Sequence, residues 1–269
     1  MDITYIHHNC FIVGLAGRVL LFDYPSPSHL PSAAAAVAAP FLTGADLLVF
    51  FSHSHPDHFD PDILAVTAQA ASRRFVVSDD VADMFPDSLP EGAVVMEPDQ
   101  TRQVEGLTVA TLESNDLGVA YLIGTPEKRL YFGGDLALWD WPTLPERGRE
   151  ENRRFFEAAL ARIAPFHPDV AFTNCDPRLD SLGGVVRFAR AVRPGLLVPM
   201  HLFGDTSGLW TLPARIAAEE PAEEGIDIPV FCYERPGDAV TVGPDNGATF
   251  RPPRNIPEKA SADGPGDTR

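Results

Sequence analysis

The sequence is poor in cysteine and has no long hydrophobic run. Its 269 residues include three cysteines, Cys10, Cys175 and Cys232. An odd number of widely spaced cysteines disfavours a disulfide framework and indicates small buried core residues rather than metal ligands. No apolar segment approaches the roughly 20 residues of a membrane-spanning helix. The N-terminus also lacks the basic start and apolar segment of a signal peptide, so we expect a cytoplasmic protein.

Positive charge is also scarce. Lys and Arg number 21 against 38 Asp and Glu, which gives a formal net charge of -17. Such a surface repels nucleic acid phosphates and anionic lipid, so neither a nucleic acid nor a membrane partner is expected. A small-molecule substrate, even an anionic one, fits this composition, because bound metal ions supply positive charge locally. The oligomeric state is left open.

The apolar residues are arranged as alternating strands and helices. Strands are predicted at residues 3–6, 10–13, 19–23, 46–51, 75–77, 93–96, 107–112, 119–123, 129–132, 170–172, 196–198 and 229–233, and helices at 60–71, 81–85, 150–164, 182–192 and 212–220. Two groups of strands, each followed by helices, predict an α/β protein with an αββα sandwich of two facing mixed sheets and outer helices. We expect one domain over residues 1–250 and a disordered tail over residues 251–269.

The strongest motif is HSHPDH at residues 53–58, directly after a predicted apolar strand. Residues two apart in an extended chain point the same way, so His53 and His55 share a face, and the following turn redirects Asp57 and His58. One short loop can therefore serve two ions. Imidazole and carboxylate are ligands expected for zinc, manganese or iron. A histidine-containing surface loop is the alternative, disfavoured because three of the eight histidines cluster here.

The pattern His53-x-His55-x-Asp57-His58 resembles the signature of the metallo-β-lactamase superfamily. The segment YIHHNCFIV at residues 5–13 is similar to the opening hairpin of the branch that contains L-ascorbate-6-phosphate lactonase and uncharacterised bacterial relatives. The resemblance extends over roughly residues 1–240. It implies the αββα metallo-β-lactamase fold and a metal-dependent hydrolase.

Two downstream motifs match the same family in the expected order. YFGGD at residues 131–135 resembles the strand that ends in Gly-Asp, whose carboxylate bridges the two metals. VPMH at residues 198–201 resembles the strand-end histidine of the second metal site. The resemblance thus implies a second site of Asp57, His58 and His201, with Asp135 between the two ions.

One family residue is missing, the third histidine of the first metal site. The corresponding stretch, ESNDLG at residues 113–118, has Asn115 in that position and Asp116 beside it. A carboxylate from Asp116 would then complete a first site with His53 and His55. Whether the centre holds one ion or two stays open.

The implied reaction uses a metal-bound hydroxide on a small-molecule ester, lactone, amide or phosphoester. One or two Zn²⁺ ions are expected, with Mn²⁺ or Fe also possible. Asp57 is the predicted catalytic residue, because it would orient the nucleophile or accept a proton. Two alternatives remain: an iron-dependent oxidoreductase on the same scaffold, and a non-catalytic ligand-binding member with a degraded first metal site.

Four residues are predicted to contact substrate, namely His8, Asn115, Trp139 and Arg178. His8 precedes the strand of the opening hairpin, and it can equally be structural. Trp139 follows Asp135 closely enough to wall the pocket, although a core position is the alternative. Arg178 is suited to clamp a carboxylate or phosphate, unless an internal ion pair occupies it.

Overall fold

The structure is a computed structural model that describes residues 1–218 and 227–251. Fourteen strands lie in the described ranges: β1 (Asp2–His7), β2 (Cys10–Leu15), β3 (Arg18–Phe22), β4 (Asp46–Phe51), β5 (Ser72–Ser78), β6 (Val94–Met96), β7 (Thr101–Val104), β8 (Leu107–Glu113), β9 (Val119–Gly124), β10 (Arg129–Phe132), β11 (Val170–Asn174), β12 (Leu196–Met200), β13 (Ala239–Val242) and β14 (Ala248–Arg251). The α-helices there are α1 (Ser32–Leu42), α2 (Ile63–Val66), α3 (Asp79–Met84), α4 (Glu146–Ile163), α5 (Val185–Val192) and α6 (Leu212–Ala218). Short 3₁₀ turns cover Pro86–Ser88, Ala164–Phe166, Leu182–Gly184 and Leu209–Thr211.

The strands form two mixed sheets. The first has the order β14-β13-β1-β2-β3-β4-β5-β6, and the second has the order β12-β11-β10-β9-β8-β7. Aromatic rings from both sheets meet between them: the centroids of Phe22 and Phe132 are 4.5 Å apart, and those of Phe11 and Phe172 are 5.1 Å apart. The main core therefore lies between the sheets, as the αββα prediction requires.

Helices cover the two outer faces. Ala34, Ala38 and Leu42 of α1 pack in a second cluster with outward-facing residues of the first sheet. On the second sheet, the ring of Phe188 in α5 stacks on Tyr131 in β10 at 5.2 Å. Central strands are thus covered on both faces, which is why β4 is apolar almost throughout rather than alternating. The predicted αββα sandwich is confirmed.

Several predicted elements differ in extent. The helix predicted at 60–71 is only the single turn Ile63–Val66, because the carboxylate of Asp60 accepts the N–H of Asp62 in a local turn and the following amides bond in turns. The helix predicted from residue 182 begins at Val185, since Gly183 and Gly184 adopt positive φ angles of 61° and 82°.

The sequence interpretation was less accurate for three strands and for the last predicted strand. The strand predicted at 229–233 is reduced to one bridge between Leu197 and Val230. Strands β7, β13 and β14 were not predicted; β7 has three exposed polar residues out of four, so it lacks an apolar pattern. Residues 219–220 of the last predicted helix, and residues 252–269 of the predicted tail, lie outside the described residues. Within the described ranges no helix is long and apolar enough to cross a membrane.

Strand direction decides where the polar motifs meet. β1 pairs antiparallel with β2, β2 pairs antiparallel with β3, and β3 is parallel to β4, so β1, β3 and β4 all end at the same edge. In the second sheet β8, β10, β11 and β12 likewise share one direction. Ligands in open α/β sheets bind outside the carboxyl ends of strands.

Candidate metal centre

The histidines and aspartates of the motifs converge at these strand ends. Two groups of four residues form, and in each group the possible ligand atoms lie within 4.8 Å of one another. The inner group comprises His8, Asp57, His58 and His201, and the outer group comprises His53, His55, Asp116 and Asp135. Because their members come from the ends of β1, β4, β8, β10 and β12, both groups exist only when the two sheets are paired and packed.

Asp135 belongs to the outer group and also faces the inner one. Its Oδ1 is 3.4 Å from His58 Nε2, while its Oδ2 is 3.2 Å from His201 Nε2 and 3.7 Å from His53 Nε2. One carboxylate thus faces histidines of both groups. This position suits the bridging role that the family resemblance implies for Asp135.

The outer group is partly open to solvent. His53 Nε2 lies 3.0 Å from His55 Nδ1, which in turn is 3.5 Å from Asp116 Oδ2. The side chains of His55 and Asp116 are 46% and 38% exposed. Within the outer group, Asp116 is thus the carboxylate that faces His55.

Asn115 lies beside the outer group, but its amide is used structurally. Its Nδ2 donates to the carbonyl of Ala137 at 2.8 Å and to Asn152 Oδ1 at 3.1 Å. Its Oδ1 accepts the main-chain N–H of Ala137 at 3.2 Å. With both amide protons engaged, Asn115 fixes the β8–β9 loop against the segment after β10, so its predicted substrate contact is limited to the carbonyl oxygen.

Asp23 supports the inner group, and it was missing from the predicted site. Completely buried just past β3, its carboxylate accepts the N–H of Ser52 at 2.8 Å and the hydroxyl of Ser52 at 2.7 Å. His58 Nδ1 donates to Oδ2 of the same carboxylate at 2.9 Å, the oxygen that also accepts the Ser52 hydroxyl. The contact holds the His58 ring so that Nε2 faces the centre, a support common around metal-binding histidines. In the sequence, the feature that could have indicated this role is the position of Asp23 directly after an apolar strand.

His201 has a similar support. Its Nδ1 lies 3.3 Å from Asp176 Oδ2, a buried carboxylate just past β11. Arg178 binds Asp176 through two nitrogen atoms, with Nε 2.9 Å from Oδ1 and Nη2 2.5 Å from Oδ2. Trp139 packs edge-on to His201 at 5.6 Å and donates its Nε1–H to the carbonyl of Asp135 at 3.1 Å.

Gly118 permits the close contact of the second sheet with His53. Its φ is +63°, and a Cβ added there would lie 2.1 Å from the carbonyl oxygen of Ser52 and 2.8 Å from His53 Cβ. The main chain at Val119 donates to that same Ser52 carbonyl at 2.9 Å. Any side chain at this position would push the two sheets apart at the metal centre.

Burial and neighbouring charge set the protonation of the histidines. Burial lowers the pKa of His8 to about 3 and lowers the pKa of His53 well below its ordinary value. Burial also acts to lower the pKa of His58, but the carboxylates of Asp135 and Asp23 outweigh it and raise that pKa well above its ordinary value. Asp135 and Asp176 likewise raise the pKa of His201, so the charged form is favoured in the two histidines that each lie between two carboxylates.

The carboxylates respond in opposite directions. Burial opposes ionisation of Asp57, yet its contact with His8 and the charge of His58 lower its pKa. Burial likewise opposes ionisation of Asp135, but the charges of His201 and His58 hold its pKa well below its ordinary value. For Asp116, burial and the charge of Asp135 raise the pKa. These carboxylates need positive charge close by, which protonated histidines or divalent cations can supply.

The donor set fits a divalent metal. Neutral imidazoles and carboxylates are the ligands of zinc, manganese and iron. The buried His58 Nε2 has no hydrogen-bond partner among the described residues, and it points toward Asp57 and Asp135. A buried nitrogen without a partner is costly unless another group satisfies it, and a cation would do so here.

A cavity of about 430 Å³ opens beside both groups. It is lined by polar residues of the centre and by aromatic residues, namely His55, Asp57, Asn115, Asp116, Asp135, Trp139, Trp141, Asn152, Arg178, His201 and Phe203. Three of the predicted substrate contacts, Asn115, Trp139 and Arg178, belong to this lining. The fourth, His8, does not; its ring is 1% exposed and lies beneath the ring of Phe203 at 4.2 Å.

Residues 18–202 match the family model described as the beta-lactamase superfamily domain. The chain belongs to the metallo-β-lactamase superfamily. A superfamily relative from Opitutus terrae, named UPF0173 metal-dependent hydrolase, is 27% identical over 233 residues, which are 81% of this chain and 92% of that protein.

Two solved structures share the fold of this chain. Igni18, a metallo hydrolase from Ignicoccus hospitalis, matches with a TM-score of 0.59 and 18% identity over 89% of this chain and 97% of that one. The metallo-β-lactamase fold protein YhfI from Bacillus subtilis matches with a TM-score of 0.58 and 15% identity over 87% and 96% of the two chains. At these identities the two structures establish the fold alone.

Proposed function

We propose that this superfamily member is a metallohydrolase that adds water across an ester, lactone, amide or phosphoester bond of a small molecule. The observation that carries the proposal is the convergence of the inner and outer groups through the carboxylate of Asp135, at the wall of an open cavity. The relative from Opitutus terrae, which is named a metal-dependent hydrolase, supports the same class.

We assign the ligands as the family resemblance implies. His53, His55 and Asp116 would hold a first ion, and Asp57, His58 and His201 would hold a second. The proposed ion is zinc, with manganese or iron as the alternatives, because all three accept imidazole and carboxylate ligands. Bound here, divalent ions would lower the pKa of a water molecule and polarise the carbonyl or phosphoryl oxygen of the substrate.

Asp57 is the residue best placed to handle the proton of the attacking water. It is the inner-group carboxylate that lines the cavity, and its Oδ2 faces His8 at 3.4 Å and His58 at 3.9 Å. Its lowered pKa keeps the carboxylate ionised, so it can orient a water molecule by accepting a hydrogen bond. In this role Asp57 acts by position, with the neighbouring histidines fixing its direction.

The aromatic and basic residues of the cavity lining suggest what the substrate carries. Trp139 and Trp141 stack in parallel with centroids 6.2 Å apart, and Arg178 lies 4.3 Å above the ring of Phe203. Asp176 takes the Nε and Nη2 edge of Arg178, while its Nη1 makes no hydrogen bond to the described residues. We assign the aromatic rings to an apolar part of the substrate and Arg178 Nη1 to an oxygen atom.

The first test combines elemental analysis with a substrate panel. Untagged protein, purified without chelator, is analysed for metals and then assayed on 4-nitrophenyl esters, phosphomonoesters and phosphodiesters, on lactones and on amides. We expect about two zinc or manganese ions per chain, together with hydrolysis of at least one class. Iron in place of zinc, with oxygen-dependent turnover, would redirect the assignment to the oxidoreductase alternative.

A matched pair of variants connects turnover to this centre. His58→Ala is expected to abolish hydrolysis, because it removes an inner ligand. His167→Asn is the control, since His167 is exposed, has a φ of 47° that Asn tolerates, and belongs to neither group. A folded, metal-loaded protein that binds substrate-like molecules but hydrolyses nothing would instead support a ligand-binding protein.

A further inference from the structure

Three histidines of the centre are backed by hydrogen-bond acceptors. His58 Nδ1 donates to Asp23 Oδ2 at 2.9 Å, and His201 Nδ1 lies 3.3 Å from Asp176 Oδ2. His53 Nδ1 lies 3.0 Å from the hydroxyl of Ser52, whose own proton goes to Asp23 at 2.7 Å, so that hydroxyl accepts from His53. In its neutral form, each of these rings would keep its proton on Nδ1 and present the Nε2 lone pair to the centre, as a metal ligand must.

His8 is backed by a donor instead. The main-chain N–H of Phe203 points at His8 Nδ1 with an N–N distance of 3.2 Å. A main-chain N–H can only donate, so Nδ1 must present its lone pair there. A neutral imidazole has one N–H, which must then be on Nε2. A nitrogen that carries a proton has no lone pair for a metal.

The protonated Nε2 faces the carboxylate of Asp57. His8 Nε2 and Asp57 Oδ2 are 3.4 Å apart, an ion-pair distance; His8 Nε2 makes no well-aligned hydrogen bond to the described residues, and Asp57 supplies the carboxylate that faces it. The ring has little freedom to turn away, because it is 1% exposed and packs against His201 at 4.4 Å and Phe203 at 4.2 Å. His8 lies close enough to the other inner-group ligand atoms to bind a metal. The hydrogen bond that Phe203 donates to Nδ1 argues against it, because it places the ring proton on Nε2.

We propose that His8 is a positioning residue that donates its Nε2–H to Asp57 and does not bind the metal. The inner group then has three protein ligands, Asp57, His58 and His201, besides the shared Asp135. Fewer protein ligands leave a coordination position for water or substrate, the arrangement typical of catalytic rather than structural sites. The proposal rests on the proposed hydrolase function in one respect: orienting Asp57 matters only if Asp57 orients the attacking water.

Nitrogen-15 NMR tests the proton position directly. Long-range ¹H–¹⁵N spectra of histidine-labelled protein, assigned with His8→Gln, would be recorded without metal and after addition of Zn²⁺. We expect His8 to show a protonated Nε2 and an unprotonated Nδ1 in both spectra. A proton on Nδ1, or a shift of Nε2 to the position of a zinc-bound nitrogen, would overturn the proposal. If Zn²⁺ does not bind, the metal centre fails, while the metal-free spectrum still decides the tautomer.

Zinc affinity of three variants provides an independent readout. His8→Ala is expected to keep zinc affinity within about threefold of the parent, whereas His58→Ala is expected to lose ~100-fold or more. On any ester or phosphoester that the parent hydrolyses, His8→Ala should lower kcat ~10–100-fold with zinc still bound, and His8→Gln, whose amide also donates, should recover part of it. Equal loss of zinc in His8→Ala and His58→Ala would identify His8 as a ligand.

Discussion

The inner and outer groups contain the same kinds of residue but are supported differently. In the inner group, His58 and His201 each have a buried carboxylate behind the ring, from Asp23 and Asp176. In the outer group, the side chains of His55 and Asp116 contact each other and are 46% and 38% exposed. Among the described residues no buried carboxylate lies behind His55.

The presence of a buried carboxylate behind a ligand histidine affects both the orientation of the ligand and its affinity for an ion. A ligand whose orientation is fixed by a second hydrogen bond loses little freedom on binding an ion, while an exposed ligand must be ordered at that moment. We therefore expect the inner group to bind its ion more tightly than the outer group. The outer group is also the one for which the sequence lacks the third histidine of the family pattern, with Asn115 in its position and Asp116 beside it.

The largest effect is expected from His58→Ala. The change removes an inner ligand and leaves the buried carboxylate of Asp23 without its charged partner. We expect hydrolysis to fall by roughly 10³-fold or more, with loss of the tightly bound ion. Elemental analysis and initial rates measure both, against His167→Asn as the control. Retention of the tight ion would mean that the inner group is not the stronger site.

Gly118→Ala tests the close contact between Gly118 and the Ser52–His53 segment, here called the seam between the two sheets. The new Cβ would meet the Ser52 carbonyl at 2.1 Å in a left-handed conformation. We expect a loss of about 3 kcal/mol of unfolding free energy, or roughly 9 °C in Tm, by thermal unfolding. Gly17→Ala is matched, because Gly17 has a φ of +81° and open space around it. That control should cost only about 1 kcal/mol, the conformational part; equal losses would argue against a tight seam.

Asp23→Asn tests whether the support behind His58 makes the inner group strong. The amide keeps the size of the side chain but removes the charge that holds the His58 Nδ1–H. We expect zinc affinity of the inner group to fall about 10–100-fold, measured by competition with a chelating dye. Asp83→Asn, an exposed carboxylate on α3, is the control and should leave zinc affinity unchanged. No change in Asp23→Asn would leave the difference between the groups without this cause.

The smallest effect is expected from Asp116→Asn. It removes one carboxylate from the exposed part of the outer group, so the weaker ion should bind about tenfold less tightly while the tight ion stays. Calorimetric titration with Zn²⁺ separates the two. Asp116→His is the matched substitution in the opposite direction, and we expect it to strengthen the outer site. If Asp116→Asn instead removed the tight ion, the order of the two groups would be reversed.

The sequence predicted much of the fold and the centre because its signals are local. The HSHPDH segment contains four candidate ligands in six positions, and the apolar strand before it marks them as buried at a strand end. Asp135 and His201 were assigned from short strand-end motifs that match a family. The sandwich followed from the order of strands and helices. Each of these inferences used residues that are neighbours in the chain.

The supports could not be predicted, because they join residues far apart in the chain. Asp23 and His58 are 35 positions apart, and they meet only because β3 and β4 pair in parallel. The N–H of Phe203 reaches His8 across 195 positions. Likewise, the use of the Asn115 amide could not be predicted, because its partner Asn152 lies 37 positions away and meets it only in the packed structure.

By itself, the sequence determined which residues have metal-binding chemistry and in which order they follow apolar strands. Hydrophobic patterning and side-chain chemistry are properties of the chain, whatever its final shape. Only the tertiary structure decided how those residues are divided into two groups, which histidines have acceptors behind them, and that His8 has a donor. Hydrogen-bond direction depends on the relative position of strands from two sheets, and packing alone sets that position.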